Sequence, residues 1–491
     1  MAGILRYLFE IEETFFSTYH FSSCISILNK RMKIRYNNKK NNLTAILLLV
    51  LYIMTLQMID VGNGYSLVIM TFLQLSIAIG FSIKRIFKDK NILDPGFWFT
   101  SLFSMVNLST CFFIYSSFSL SYYEPYRYMF QNQASFYLLI NAVALIAIYF
   151  GNMFVLSKEK KYIFYNFDIS SKPYVTCIKR FFFVLSLAII LLYYNVLQGP
   201  GLEVMAETRG EGQFDNYGNI SYFIKMIERL AFLCSVSFLA PLLIAKKNKK
   251  KIIIFFILVC IYLFPSIYVG SRNQTIFFFI ILIINYYTFS KNAKELISLK
   301  SFVTFILSTT ILVVFYGSLR NVEGDNLSNF YFQLFKEMSG TANVAMTTIY
   351  LFPEKHNYLY GTTYLASILN LIPNIFFGGQ RPFTNAALLF HELFRPDMRN
   401  HGFGFSMLAE AYMNGGIISV FLFFFLFSLM LTSFLFKKKM LVDIGMISVV
   451  ITSTIWFLRS SSTGYLKILV AAFFLYKVIT YDAIIRKKKY K

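Results

Sequence analysis

The sequence predicts an all-α polytopic membrane protein with about twelve transmembrane helices, both termini cytoplasmic, and one long structured outer loop holding short helices. Three observations predict it. The chain is 57% hydrophobic and only 14% charged, with a mean hydropathy of +0.57; soluble domains run at about 45–50% apolar and about a quarter charged. Long apolar runs recur along the whole length. The connections between those runs alternate between Lys-rich and Lys-poor.

Residues 1–42 are polar and mixed and read as a cytoplasmic tail. They show no cleavable signal pattern, and the first apolar run follows Lys39-Lys40 at a length suited to a retained span. Met32 opens a more ordinary membrane-protein start, so residues 1–31 read as an extension. Nine apolar segments then fill residues 43–318: 43–59, 64–83, 97–120, 135–156, 181–198, 230–245, 252–269, 275–290 and 301–318. Three more, 415–436, 441–458 and 465–482, fill residues 415–482, and a basic tail closes the chain at 483–491. Several are shorter than the ~20 residues of a straight span, so their limits are soft. Phe, Ile and Leu occupy all sides of them, as lipid-facing helices require. Two connections are large. Residues 199–229 open with Gly199-Pro200-Gly201, and residues 319–414 hold apolar stretches such as Tyr364 to Phe377. Such pieces lie in the membrane interface or dip into the bundle as short amphipathic helices. A loop this long with structure of its own is usually functional.

Charge sets the orientation. With the N-terminus inside, 33 of the 47 Lys and Arg residues fall on inner segments and 13 outside, while Lys477 sits in the last span. That is the bias expected of cytoplasmic loops. The net charge of +23 therefore does not call for nucleic acid, because the lysines cluster beside apolar runs and meet anionic lipid. The residue type differs too. Inner segments are dominated by Lys, whereas the outer ones hold nine Arg and four Lys. Lys suffices for topology, but Arg presents a planar fork that binds phosphate oxygens in pairs. Pairing with a nearby acid explains a single outer Arg equally well. The set as a whole points to an anionic ligand.

Gly270-Ser271-Arg272 lies at the outer end of the seventh apolar segment, where an Arg is costly unless it is paired or faces a polar cavity. The alternative is an Arg that snorkels to lipid phosphate. Arg320 follows Gly317-Ser318-Leu319 in the same setting, with Glu323 and Asp325 able to neutralise it. The densest constellation runs from His391 to Asn414 and includes Arg395, Asp397, Arg399, His401, Glu410 and Tyr412. Residues from Met407 to Asn414 are expected to be helical, which places Glu410 and Asn414 on one face just before the next span. His401 titrates in a range suited to accepting a proton near neutrality. The plainer reading has His401 capping the helix and Glu410 pairing with an outer Arg. No Walker loop, dinucleotide fingerprint or paired-His metal motif occurs. The five cysteines match no zinc spacing, and Asp60 is the one acid of a very short first outer loop. Neither a metal nor a cofactor is expected.

Three stretches resemble the Wzy-type O-antigen or oligosaccharide repeat-unit polymerases. They are Gly270-Ser271-Arg272 after a span, Arg320 at the head of the long outer loop, and the segment from Gly402-Phe403-Gly404-Phe405-Ser406 through Glu410-Ala411-Tyr412 to Asn414-Gly415-Gly416. The last is the most specific. The resemblance implies a glycosyltransferase that moves a growing glycan from undecaprenyl diphosphate onto the non-reducing end of a new lipid-linked repeat unit. It implies Arg272 and Arg320 on the leaving diphosphate, and Arg395 and Arg399 on the second one. Arg381, Tyr412 and Asn414 would touch substrate, and His401 or Glu410 would act on the acceptor hydroxyl. Guanidinium groups would then do the work of a metal. The implied setting is a bacterial cytoplasmic membrane, with the active site facing the periplasm or exterior. The implied partners are lipid-linked oligosaccharides, membrane lipids, a chain-length regulator and a flippase, and no nucleic acid. An O-antigen ligase-like transferase shares this plan. A flippase or transporter of the same lipid would carry charge along a cavity within the spans, whereas here ionisable residues gather at one face.

Overall fold

A computed structural model of the chain describes residues 73, 74, 76, 78, 95–115, 124–156, 172–198, 219–246, 248–268, 275, 277–282, 330–372, 384–394, 405–433, 441–458 and 460–489. Among them the regular structure is helical, with no strand. In chain order the helices are α1 (Pro95–Tyr115), α2 (Glu124–Leu156), α3 (Lys172–Gln198), α4 (Asn219–Lys246), α5 (Lys249–Tyr268) and α6 (Phe330–Leu351). Then come α7 (Thr362–Leu369), α8 (Ala386–Phe394), α9 (Met407–Met413), α10 (Gly416–Ser433), α11 (Leu441–Phe457) and α12 (Ser462–Lys489). Among the described residues five helices are long and apolar enough to cross a bilayer, over Gln133–Val155, Val175–Leu197, Ile227–Ile244, Gly416–Ser433 and Ser462–Ile479. The expected spans 43–59 and 301–318 lie outside the described residues, as do most of 64–83 and 275–290.

The helices pack around two apolar cores. One gathers α2, α6, α9 and α10, where Phe103 meets Phe424 edge-on at 5.0 Å. The other gathers α3, α4 and α5, where Phe181 stacks on Phe238 at 5.0 Å. α1 serves both, giving Phe99 and Phe103 to the first core and Phe97 and Trp98 to the second. α11 and α12 are divided in the same way. The outward faces are lipid-like. On α10 the exposed positions Ile418, Leu422, Leu426 and Met430 recur every fourth residue, forming one stripe along the helix.

Lipid provides no hydrophobic drive between helices, so close approach and polar ties must hold them. The α2–α10 seam shows both. A Cβ on Gly151 would lie 2.5 Å from the Phe425 carbonyl oxygen, so only glycine permits that approach. One turn along, the Ser428 hydroxyl bonds the Ile148 carbonyl at 3.0 Å and Asn152 Oδ1 at 2.9 Å. Buried hydroxyls elsewhere turn back on their own helix. Thr100, Thr348 and Thr452 each donate to the carbonyl four residues earlier at 2.7–2.8 Å. Where no water is available, that bond satisfies the group without leaving the helix.

The 319–414 segment is more built into the bundle than the short helices expected there. α6 is 22 residues long, and its residues 341–349 are all buried against α1, α2 and α9.

Candidate active site

The segment entering α10 is built by local signals. Ser406 is the N-cap of α9, its Oγ accepting from Ala409 N at 3.3 Å. Capping therefore falls to Ser406 rather than to His401, which lies outside the described residues. Asn414 is the C-cap of α9, and Gly416, the first residue of α10, takes a left-handed φ of +63. A Cβ there would sit 2.7 Å from the Tyr358 hydroxyl. Glycine is thus needed twice, for the backbone turn and for the close phenol.

All seven residues of α9 are buried, Glu410 among them at 1% exposure. Its carboxylate reaches the head of α12. Glu410 Oε2 accepts from Ser462 N at 2.7 Å, and Oε1 accepts from the Ser462 hydroxyl at 2.6 Å. Helix starts leave backbone N–H groups without partners and carry partial positive charge, so an anion from a distant segment fits there. Its described partners carry no charge, so the pairing with an outer Arg that the plainer reading gave does not appear among them.

The Ser462 hydroxyl has one proton, and Glu410 takes it. The 2.6 Å contact between Ser367 and Ser462 then needs Ser367 as donor, and the 2.8 Å contact between Ser367 and Thr463 needs Thr463 as donor. The result is a directed chain, Thr463 to Ser367 to Ser462 to Glu410. The Ser367 proton is shared with the Thr363 carbonyl at 2.9 Å. Asn414 closes the other side. Its amide nitrogen donates to Thr363 Oγ1 and to the Glu410 carbonyl, both at 2.7 Å, and its oxygen accepts from Gly361 N at 2.9 Å. Leu359 N bonds the Met413 carbonyl at 2.9 Å, so the turn before α7 is fastened to the end of α9.

Burial pushes the Glu410 carboxyl up to about 7, against donors from Ser462 and Thr363 that pull it down. Desolvation outweighs those hydrogen bonds, and the group titrates where a general base is most useful. Tyr364 stacks flat on Phe423 at 5.3 Å. Its phenol is pushed well up by burial first and by the Glu410 charge second. Among the described residues Tyr412 shares none of the Glu410 side-chain partners. It is 3% exposed, with edge-on contacts to Tyr358 and Phe136 at 6.0 and 6.2 Å. Burial also lowers the titration of His391 on α8.

A buried, near-neutral carboxyl beside the head of a span, in an all-helical chain with several spans, narrows the class. The family model for the O-antigen polysaccharide polymerase Wzy matches residues 10–489, nearly the whole chain. The chain belongs to the Wzy O-antigen polysaccharide polymerase family. Comparison with curated proteins and with solved structures finds no match. Wzy membership makes the protein a multi-pass membrane polymerase of O-antigen repeat units, of the glycosyltransferase type, acting on lipid-linked oligosaccharide.

Within this Wzy chain the structure joins Glu410 and Asn414 directly, and it sets Tyr412 on the same helix with other neighbours. Arg272, Arg320, Arg381, Arg395, Arg399 and His401 lie outside the described residues. The sequence reading missed Thr363, Ser367, Ser462 and Thr463. The signal available for the last two was the hydroxyl run Ser460-Ser461-Ser462-Thr463 before a span, which is rich in helix-capping residues.

Proposed function

We propose that this Wzy protein lengthens a polysaccharide by transferring the growing glycan from undecaprenyl diphosphate to the non-reducing end of a new repeat unit on the same lipid. The acceptor hydroxyl attacks the anomeric carbon and gives its proton to a base. The bond from that carbon to the diphosphate oxygen breaks, and its electron pair leaves with the diphosphate. The observation that carries the reading is the family match over 10–489, joined to one carboxyl poised near neutrality at the entry to α10. Glu410 or His401 is the base. Charge develops on the departing diphosphate, where preorganised cations stabilise the transition state most. Arg272 and Arg320 serve the leaving diphosphate, Arg395 and Arg399 the second one, and Arg381 the saccharide. Those guanidinium groups stand in for a metal, so the reaction is metal-independent. Asn414 and Tyr412 shape the wall on which substrate rests. The site faces the periplasm or exterior of a bacterial cytoplasmic membrane, behind about twelve spans with both termini in the cytoplasm. A flippase delivers the substrate and a chain-length regulator sets product size.

The test is elongation in proteoliposomes, with the lipid-linked repeat unit as sole substrate. A ladder of products is expected, and it persists in the presence of a chelator. Arg272→Ala and Arg320→Ala abolish the ladder in protein that remains inserted, and Lys at either position restores only part of it. Absence of a ladder from the wild-type protein, with donor still bound, assigns the chain to ligation. Translocation without elongation assigns it to transport.

A further inference from the structure

α7 is inside out. Its inward positions are small or polar: Thr363, Ala366, Ser367 and, just past its end, Asn370 are all buried. Its outward apolar positions are Leu365, Ile368 and, past its end, Ile372, which are 47%, 56% and 42% exposed; the one outward hydroxyl described on the helix is Thr362 at its first position. A helix on a water-facing surface has the opposite arrangement. Residues 357–380 carry no charged side chain. Two of the elements that α7 touches also face outward with apolar stripes. Tyr364 stacks on Phe423 of α10, whose Ile418 and Leu422 are exposed, and Ser367 bonds the head of α12, whose Val470 and Phe473 are exposed. Both α10 and the start of α12 are candidate spans.

We propose that the outward face of α7 is seated in the hydrocarbon of the bilayer, making α7 the wall between lipid and the Glu410 cluster. The inverted polarity follows from that position. Hydroxyl groups facing hydrocarbon have no partners and cost several kcal/mol each, whereas turned inward they bond one another. Here they bond Ser462, Thr463 and Asn414. The apolar side chains lose nothing by facing acyl chains. A substrate whose long hydrocarbon tail stays in the bilayer would reach the polar cluster past this helix rather than from bulk water. The inference rests on the membrane nature of the family and on the packing of α7, and it stands whether or not Glu410 is the base.

The experiment places the photo-crosslinker p-benzoylphenylalanine singly at Leu365, Ile368 and Ile372 of the full chain. The protein is held in vesicles of phosphatidylethanolamine and phosphatidylglycerol carrying a radiolabel. Leu422→p-benzoylphenylalanine, on the α10 stripe, gives the positive reference, and Glu354→p-benzoylphenylalanine, at an exposed charged position, the negative one. Lipid adducts at the three α7 positions within about twofold of the 422 yield, and about tenfold above the 354 yield, support the proposal. Lipid adducts at 422 but not on α7 overturn it. Adducts from α7 to another polypeptide, a second copy included, overturn it as well. Measuring elongation in Glu410→Gln separates the two readings: a ladder that persists there overturns Glu410 as the base and leaves the lipid adducts on α7 unaffected, whereas adducts missing from α7 overturn the bilayer seat whatever the ladder shows.

Discussion

Two carboxylates are buried among the described residues, Glu410 and Glu228, at 1% and 2% exposure, and their surroundings differ. Glu228 sits near the start of the candidate span in α4, takes the phenol proton of Tyr262 on α5, and lies in the aromatic core where Phe232 stacks on the same phenol. Its described tie to Tyr262 joins two consecutive helices. Glu410 joins elements about fifty to a hundred residues apart in sequence, through a helix N-terminus and a hydroxyl chain. The Glu228 pair reads as a clasp within one helical hairpin. The Glu410 cluster is a junction of three helices, and it falls at the segment that most closely resembles the family. A buried charge in an apolar bundle is costly in either place. At Glu410 the described partners come from several elements.

The largest effect expected from that contrast is at Glu410 itself. Glu410→Ala leaves the Ser462 N–H buried without its acceptor, costing about 1–3 kcal/mol, and forces the Ser462 hydroxyl to turn to Ser367 at 2.6 Å. Folded protein should fall sharply in detergent chromatography. Glu410→Gln retains an acceptor for Ser462, so it should fold and yet make no ladder if Glu410 is the base. pH gives a sharper separation. The folded carboxyl titrates at about 7 against an ordinary 4.5, so the fold holds its proton more tightly than the unfolded chain does. Stability therefore declines as pH rises from about 4.5 to about 7, by about 3 kcal/mol in all, and is level above that. Activity that needs the ionised base moves the other way and rises through about 7. Opposite slopes for apparent melting temperature and elongation rate, both lost in Glu410→Gln, are the signature of a base. A stability slope with no matching activity slope would leave Glu410 a helix cap.

How far the sequence revealed this junction depends on distance along the chain. The helix over 407–413 and its passage into a span were legible, because serine capping, the paired glycines and the apolar run are all local signals. So was the shared face of Glu410 and Asn414, which are four residues apart. Ser462 and Ser367 were not legible. A carboxylate seeking a helix start 52 residues away leaves no pattern in a single sequence, so the partners of Glu410 could not be named from it. α6 was hidden for a different reason. Its buried half, Thr341-Ala342-Asn343-Val344-Ala345-Met346-Thr347-Thr348, is small and hydroxylic. Hydropathy scores it as a loop, although backbone-directed bonds such as that of Thr348 let it pack deep in the bundle.

The Glu228 clasp should respond less. Tyr262→Phe removes the phenol that serves the carboxylate and should cost about 1–3 kcal/mol, read as a lower apparent melting temperature with ladder length unchanged at permissive temperature. Glu228→Gln keeps an acceptor for the phenol and removes a buried charge, so its stability should stay within about 1 kcal/mol of wild type. If Glu228→Gln folds and abolishes the ladder, the contrast breaks, and the second core holds chemistry as well.

The smallest effect expected is at Ser367, and it probes whether the hydroxyl chain works as a unit. Ser367→Ala takes away the acceptor of Thr463 and the donor to Ser462 while leaving both Glu410 bonds in place. The direct cost should be about 1 kcal/mol, with the ladder retained. An indirect effect travels along the chain. Without Ser367 donating to it, the Ser462 hydroxyl is a weaker donor to Glu410. The ionised form loses support, and the pH at which elongation is half-maximal should move up. A double-mutant cycle settles whether the coupling exists. Ser367→Ala with Glu410→Gln should depart from additivity in stability by about 0.5–1 kcal/mol, while Ser367→Ala with Glu228→Gln should add within about 0.5 kcal/mol. Equal additivity in both pairs would mean that Ser367 merely fills space between α7 and α12, and that the junction at Glu410 is no more connected than the clasp at Glu228.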